Sequence, residues 1–138
     1  MQDRYTGDIG DYVKLALLRA LMPGRRLGVA WWLVPDEAHN ADGKHLKYLD
    51  RPTEWRSLDP ELFDGLRSII QAGQRRVAAL EASGLLPGAT FAADVLSVRE
   101  APAAERDQQR KDWFCGIERS LQDADIVFVD PDNGFEPA

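Results

Sequence analysis

The chain has 138 residues, about the usual size of a single domain. Its composition, 44% apolar and 29% charged, excludes the disordered and fibrous classes, and its one cysteine, Cys115, excludes an internal disulfide. No apolar run approaches the ~20 residues of a membrane span, and the polar, acidic start is unlike a secretion signal. We therefore expect a cytoplasmic protein with no membrane partner.

The charge of the chain is unevenly distributed. The formal net charge is −6, and residues 123–138 hold five acidic side chains and no cation. The rest of the chain is thus nearly neutral. An acidic protein is not expected to bind nucleic acid broadly and without specificity, but a local basic face remains compatible with this composition.

The first part of the sequence predicts a helix followed by a strand. Apolar residues three or four apart predict an amphipathic helix over 8–21, capped by Asp8 or Asp11. Its expected inward side chains are Ile9, Tyr12, Val13, Ala16, Leu17 and Leu21. The continuous apolar run 27–34 predicts a strand buried on both faces, as in a parallel sheet. Residues 35–47 are polar and predict a loop.

The second part predicts three helices and two strands. Asp59 and Pro60 are typical of a helix start, and the helix they begin should end at Gly73. Its expected core face is Leu62, Phe63, Leu66, Ile69 and Ile70. A shorter helix is predicted over 74–83, a strand over 90–97, a helix over 102–122 and a strand over 125–129. On the last helix, the expected inward side chains are Trp113, Phe114, Ile117 and Leu121, with Cys115 as a buried, inert thiol.

This alternation of helices and strands predicts an α/β fold: a three-layer, Rossmann-like domain with a mostly parallel sheet that takes in residues 1–138. In such sheets, ligands bind beyond the carboxyl ends of the strands. Two polar segments are predicted there, one after the first strand and one after the last. The basic pairs at 25–26, 75–76 and 110–111 are expected on solvated faces.

The segment DPDNGFE, which follows the last strand, is the sharper of the two signals. Asp130 ends a short apolar strand and Pro131 restricts the backbone after it, whereas Asp132, Asn133 and Gly134 are typical of a tight turn. Turn chemistry explains the last three residues. It does not explain the carboxylate at the strand end, which we interpret as a functional side chain.

The segment PDEAHNADGKH, after the first strand, contains both histidines of the chain. Glu37, His39 and His45, with Asp130 as an oxygen donor, are one candidate set of metal ligands. Their spacing matches no established metal motif, so a solvated loop is the favoured interpretation.

The order of motifs resembles that of the ribosomal RNA adenine-N6 methyltransferases. These motifs are GDIGDYVKLALL, then the first strand with its loop, and finally DIVFVDPDNGFE. In that family a helix leads into a cofactor-binding loop, and a late strand ends in Asp-Pro-Pro and an aromatic residue. The chain is also similar to a group of uncharacterised bacterial proteins with the same WWLVPDE and DPDNG segments. The resemblance covers roughly a quarter of the chain, and the Asp-Pro pair is its specific part.

The resemblance implies methyl transfer from S-adenosylmethionine to an amino nitrogen of a nucleic-acid base. The implied catalytic residues are Asp130, Pro131, Asp132 and Asn133, and the implied cofactor-binding residues are Asp11, Lys14, Asp36, Glu37 and Gly43. Asp132 stands where the family has a second proline, and Asn133 stands where it has the aromatic residue. Phe135 is then the nearby ring that could stack on a flipped base.

Three alternatives stay open at this point. Methyltransferase sheets continue with further strands, so a chain that ends soon after Asn133 is either truncated or a degenerate domain. The same residues resemble the first motif of haloacid-dehalogenase-like phosphotransferases, with Asp130 as nucleophile, Asp132 as acid/base and Mg²⁺ bound by both. A non-catalytic binding or assembly module, forming a homo-oligomer through an exposed sheet edge, is the third.

Overall fold

The computed structural model describes residues 1–36, 43–96 and 102–131, and these form two compact units. The sheet unit comprises Met1, Gly24–Pro35 and Gly88–Ala138. The helical unit comprises Gln2–Pro23 and Asp36–Pro87. Of the predicted site residues, Glu37, His39, Asp132 and Asn133 lie outside the described residues, as does Phe135.

The sheet unit contains three parallel strands in the order β2-β1-β3. Strand β1 is Leu27–Ala30, β2 is Thr90–Ala92 and β3 is Ile126–Val129. Strand β1 pairs with β2 on one side and with β3 on the other. All four residues of β1 are buried, as predicted for a central strand of a parallel sheet. An α/β fold with a parallel sheet is therefore confirmed.

Strand β1 is shorter than the predicted run 27–34. Trp32 has a φ of 46°, a left-handed conformation that is rare for a bulky side chain and that interrupts the extended backbone. Hydrogen bonding nevertheless continues beyond the strand, since Leu96 N–H donates to the Leu33 carbonyl at 2.9 Å. The length of β1 is set by its partner strands and by the kink at Trp32. Neither feature can be predicted from the apolar run.

Helix α5, Ala103–Ser120, packs on the sheet through its last turns. Ile117 and Leu121 form a buried cluster with Ala30 and Ala92. Gly28 faces Leu121 closely, with 3.1 Å between that side chain and a hypothetical β-carbon at Gly28, so a larger residue there would push the helix away. Trp113 is partly buried against the same cluster, as predicted. The predictions for Phe114 and Cys115 are wrong: Phe114 is 44% exposed and Cys115 is exposed, because they lie off the side of the helix that carries Trp113, Ile117 and Leu121.

The helical unit contains α1 (Ile9–Leu21), α2 (Pro52–Trp55), α3 (Pro60–Gln71) and α4 (Val77–Ala82), with two 3₁₀ turns, Asp3–Tyr5 and Lys47–Asp50. Helix α3 confirms its prediction: the Asp59 carboxylate accepts from Leu62 N–H at 3.0 Å, and Leu62, Phe63 and Leu66 are fully buried. Helix α4 also follows its prediction, with Val77 and Leu80 inward.

The bounds of α1 are confirmed, but the predicted core face is wrong at several positions. The buried side chains are Asp11, Tyr12, Leu15 and Leu18. Val13 and Leu17 are more than half exposed. Apolar residues occupy both sides of this helix, so their spacing alone does not select the buried side. None of the described helices is long and apolar enough to cross a membrane.

Candidate functional site

The carboxyl ends of β1 and β3 lie side by side in the sheet unit. Asp130, the first residue after β3, donates its backbone N–H to the Ala30 carbonyl at 3.0 Å. The amino group of Met1 donates to the carbonyls of Trp32, at 3.1 Å, and Asp130, at 3.4 Å. The two chain segments that the sequence marks as candidates therefore leave adjacent parallel strands at the same edge of the sheet.

The sheet unit has a cavity of about 460 Å³ beside the segments that follow β1 and β2. Trp32, from the segment after β1, and Leu96, from the segment after β2, form one side. Helix α5 contributes the rest, with Arg110, Lys111, Trp113, Phe114 and Cys115. The exposed lining is almost entirely apolar, so Arg110 and Lys111 contribute their aliphatic stems beside the aromatic rings.

The aromatic side chains of the cavity are held in place by specific contacts. The rings of Trp32 and Trp113 meet edge to face, with centroids 5.5 Å apart. The Trp113 indole N–H donates to the Asp94 carbonyl at 2.8 Å, which fixes the ring against the segment after β2. Strained backbone conformations such as that of Trp32 are concentrated at ligand sites.

The sequence predicts a core position for Trp32, Trp113 and Phe114, and a solvated face for Arg110 and Lys111. Trp32 and Trp113 do pack against the buried cluster on the sheet, whereas Phe114 is exposed. Both cations are exposed, as expected, but they also line the cavity. The available signal was the run Arg-Lys-Asp-Trp-Phe-Cys, in which cations and rings are adjacent on one helix that starts at the carboxyl edge of a sheet.

Two of the implied cofactor residues, Asp11 and Lys14, meet in the helical unit. Asp11 is 2% exposed, and its carboxyl group accepts from Gly7 N–H at 3.0 Å and from Lys14 Nζ at 3.3 Å. Burial raises the pKa of Asp11 to about 6, although Lys14 opposes the shift. Asp8 is the N-cap of α1, since its carboxylate accepts from Asp11 N–H.

Tyr48 completes this buried polar cluster. Its hydroxyl donates to the Gly7 carbonyl at 2.9 Å, on the peptide unit next to the one that Asp11 binds. Burial, with the nearby carboxylates of Asp11 and Asp8, raises the pKa of Tyr48 above its usual value. Asp11 therefore holds the turn before α1 in place, and its carboxyl group faces the chain rather than solvent.

The other two described cofactor candidates, Asp36 and Gly43, contact the N-terminal turn. The Asp36 carboxylate accepts from Arg4 N–H at 3.2 Å. Gly43 has a φ of 77°, and a hypothetical β-carbon there would lie 2.6 Å from the Arg4 carbonyl oxygen. The absence of a side chain at Gly43 thus allows its backbone to pack closely against Arg4.

Arg75 contacts the same turn, so the prediction that it lies on a solvated face is wrong. Its guanidinium donates to the carbonyls of Arg4, Thr6 and Gly43, and its side chain is partly buried. A fixed fork of donors suits three carbonyls better than a lysine would. Arg75 therefore has a structural role in the helical unit.

Asp130 and Pro131 are the described members of the implied catalytic group, and they lie in the sheet unit. His45 is exposed in the helical unit. Among the described residues, no group of three or more His, Cys, Asp or Glu side chains is arranged to hold a metal ion. The metal and phosphotransferase interpretations depend on residues outside this part of the chain.

Comparisons with protein-family models, with curated proteins and with solved structures find no match to this chain. Its functional interpretation therefore depends on its own residues and geometry.

Proposed function

We propose that this chain is a Rossmann-like methyltransferase that transfers a methyl group from S-adenosylmethionine to an amino nitrogen of a nucleic-acid base. The observation that carries the proposal is the position of Asp130 and Pro131. They leave β3 directly beside the carboxyl end of β1, to which Asp130 is hydrogen-bonded. The residues that most resemble a methyltransferase motif are thus at the ligand-binding edge of a parallel sheet.

The strand order supports this proposal. Strand β1 lies between the two later strands, so the chain proceeds to one side of β1 and then to the other. In open α/β sheets, such a reversal leaves a crevice beyond the carboxyl ends of the strands, where nucleotide ligands bind. A three-layer arrangement with further strands is part of the proposal.

The cavity residues suit the chemistry of the cofactor. S-adenosylmethionine carries an adenine ring, a sulfonium cation and a carboxylate. The rings of Trp32, Trp113 and Phe114 can stack on adenine and attract the sulfonium cation. The cavity volume of about 460 Å³ lies within the ~300–1,000 Å³ typical of small-molecule sites. When bound, the cofactor would supply the electrophilic methyl group.

The Asp130 side chain has the chemistry needed to orient the acceptor. Its carboxylate would accept a hydrogen bond from the amino group of the base and stabilise the positive charge that develops on that nitrogen. The backbone carbonyl after Pro131 would accept a second hydrogen bond from the same amino group. Catalysis would then depend mainly on positioning.

The test is a transfer assay with S-adenosylmethionine that carries a labelled methyl group. The purified protein is incubated with single- and double-stranded RNA and DNA, and the nucleosides are then separated. We expect label on an exocyclic amino nitrogen of one base, and on single strands first, because a flipped or unpaired base is accessible. Label no higher than with heat-inactivated protein, for all four substrates, would contradict methyl transfer to nucleic acid.

A further inference from the structure

The helical unit has a second cavity, of about 320 Å³, whose lining is mainly apolar and includes several basic residues. The segment 44–51 supplies Lys44, His45, Lys47 and Arg51, and all four side chains are exposed. Trp55 of α2 lies against them. A concentration of cations in one cavity is unexpected in a chain with a net charge of −6.

Nearby acidic side chains neutralise part of this positive charge. Within the described part of the chain, Lys44 and Lys47 form no ion pair, whereas Arg51 pairs with Glu54. Asp50 is the other acidic residue of the segment, and it is exposed. Two ammonium groups therefore remain available to an anion.

Backbone contacts hold the basic segment in place. The His45 carbonyl accepts from Ile9 N–H, the first residue of α1, at 3.1 Å. Lys47 belongs to a 3₁₀ turn whose Tyr48 is buried and bonded to the Gly7 carbonyl. The lysines thus extend from a fixed backbone. Because Asp8 already caps α1, the side chains rather than the helix N-terminus would bind an anion.

Trp55 adds an aromatic group and a donor. Its ring packs edge to face against Tyr12 and Tyr48, with centroids 5.7 and 5.9 Å away. Its Nε1–H is buried and has no acceptor among the described residues.

We propose that this cavity binds the phosphate group of a nucleotide, with Lys44 and Lys47 as the principal contacts. A phosphate offers several charged oxygens to two ammonium groups, and a base can stack on a neighbouring aromatic ring. The phosphate can belong to a free nucleotide or to a nucleic-acid strand. The inference is independent of methyl transfer, because the cavity lies wholly in the helical unit and its test needs no S-adenosylmethionine.

The experiment compares two double variants that remove equal charge. Lys44→Gln with Lys47→Gln changes the cavity, and Arg67→Gln with Arg76→Gln removes two exposed cations elsewhere in the same unit. Binding of a labelled single-stranded 12-mer is followed by fluorescence anisotropy over a range of salt concentrations. Adenosine monophosphate and inorganic phosphate are titrated separately by calorimetry.

We expect the lysine variant to bind the 12-mer at least tenfold more weakly and the arginine variant to change affinity less than twofold. The slope of log affinity against log salt should fall by about 1.4 for the lysine variant, since each phosphate contact on a single strand contributes ~0.7. Saturable, lysine-dependent binding of adenosine monophosphate would identify a free nucleotide as the source. Equal losses in both variants, or no binding of any of the three probes at low salt, would overturn the inference.

Discussion

Replacing Asp130 by alanine is expected to reduce methyl transfer by a factor on the order of 10² to 10³, the usual cost of losing one group that stabilises transition-state charge. The pairing of β3 with β1 should survive, because the backbone N–H that donates to the Ala30 carbonyl is retained by alanine. The measurement is the initial rate of labelled-methyl transfer, together with a thermal melt of each protein.

Asp123→Ala is the matched control for this prediction. Asp123 is an exposed carboxylate that precedes β3, so its loss changes the net charge equally at the other end of the strand. We expect nearly unchanged activity in this variant. If Asp130→Ala instead unfolds the sheet unit, or transfers methyl groups at the wild-type rate, then Asp130 is not the catalytic carboxylate.

The stability of the protein is expected to fall by about 2 kcal/mol as the pH rises from 4 to 7, through the carboxyl group of Asp11. The pKa of this group is about 6 in the fold and 3.8 in the reference state. The folded state therefore retains a proton that the unfolded state releases. This contribution is fully present below about pH 4 and is lost as the pH passes the folded pKa.

Asp11→Asn should remove this dependence, because the amide keeps a carbonyl oxygen for Gly7 N–H and does not ionise. Urea unfolding of the wild type and the variant at several pH values measures how the free energy of unfolding depends on pH. The free energy of unfolding of the variant, minus that of the wild type, should increase from pH 4 to pH 7. A difference that does not vary with pH would show that the carboxyl group is not held neutral by burial.

Two further variants test the direction in which stability changes with pH. Lys14→Gln removes the cation that lowers the pKa of Asp11, so the loss of stability should move to higher pH. Arg56 holds the pKa of the Asp64 carboxyl below its usual value, so this carboxyl stabilises the fold more as the pH rises. Asp64→Asn should remove that rise, whereas Asp11→Asn removes a fall. The stabilisation of that exposed pair is present at neutral pH and decreases as the pH falls.

Local signals were sufficient to predict some elements. Helix α3 has a capping aspartate, a proline in its first turn and a regular apolar stripe, and each of these acts within a few residues. The parallel sheet was also predictable, because the apolar run after residue 26 has no polar face. The order of the strands depends on long-range pairing and required the structure.

The buried side of α1 was not predictable from spacing alone. Its core face includes a carboxyl group, Asp11, which is tolerated there because Gly7 N–H and Lys14 satisfy it. The same limit applies to the cavity in the sheet unit. Trp32 and Trp113 are distant in sequence, and each is apolar enough to be assigned to the core. Their contact at the strand ends is a tertiary feature.

The most direct test of the central claim is a calorimetric titration of S-adenosylmethionine into the full chain and into Trp113→Ala. We predict saturable heat with one site per chain for the wild type. Affinity should be roughly 5- to 150-fold weaker in the variant, since an aromatic contact with an adenine ring contributes ~1–3 kcal/mol. Absence of heat at millimolar cofactor, or equal affinity in both proteins, would contradict the assignment of this cavity to the cofactor.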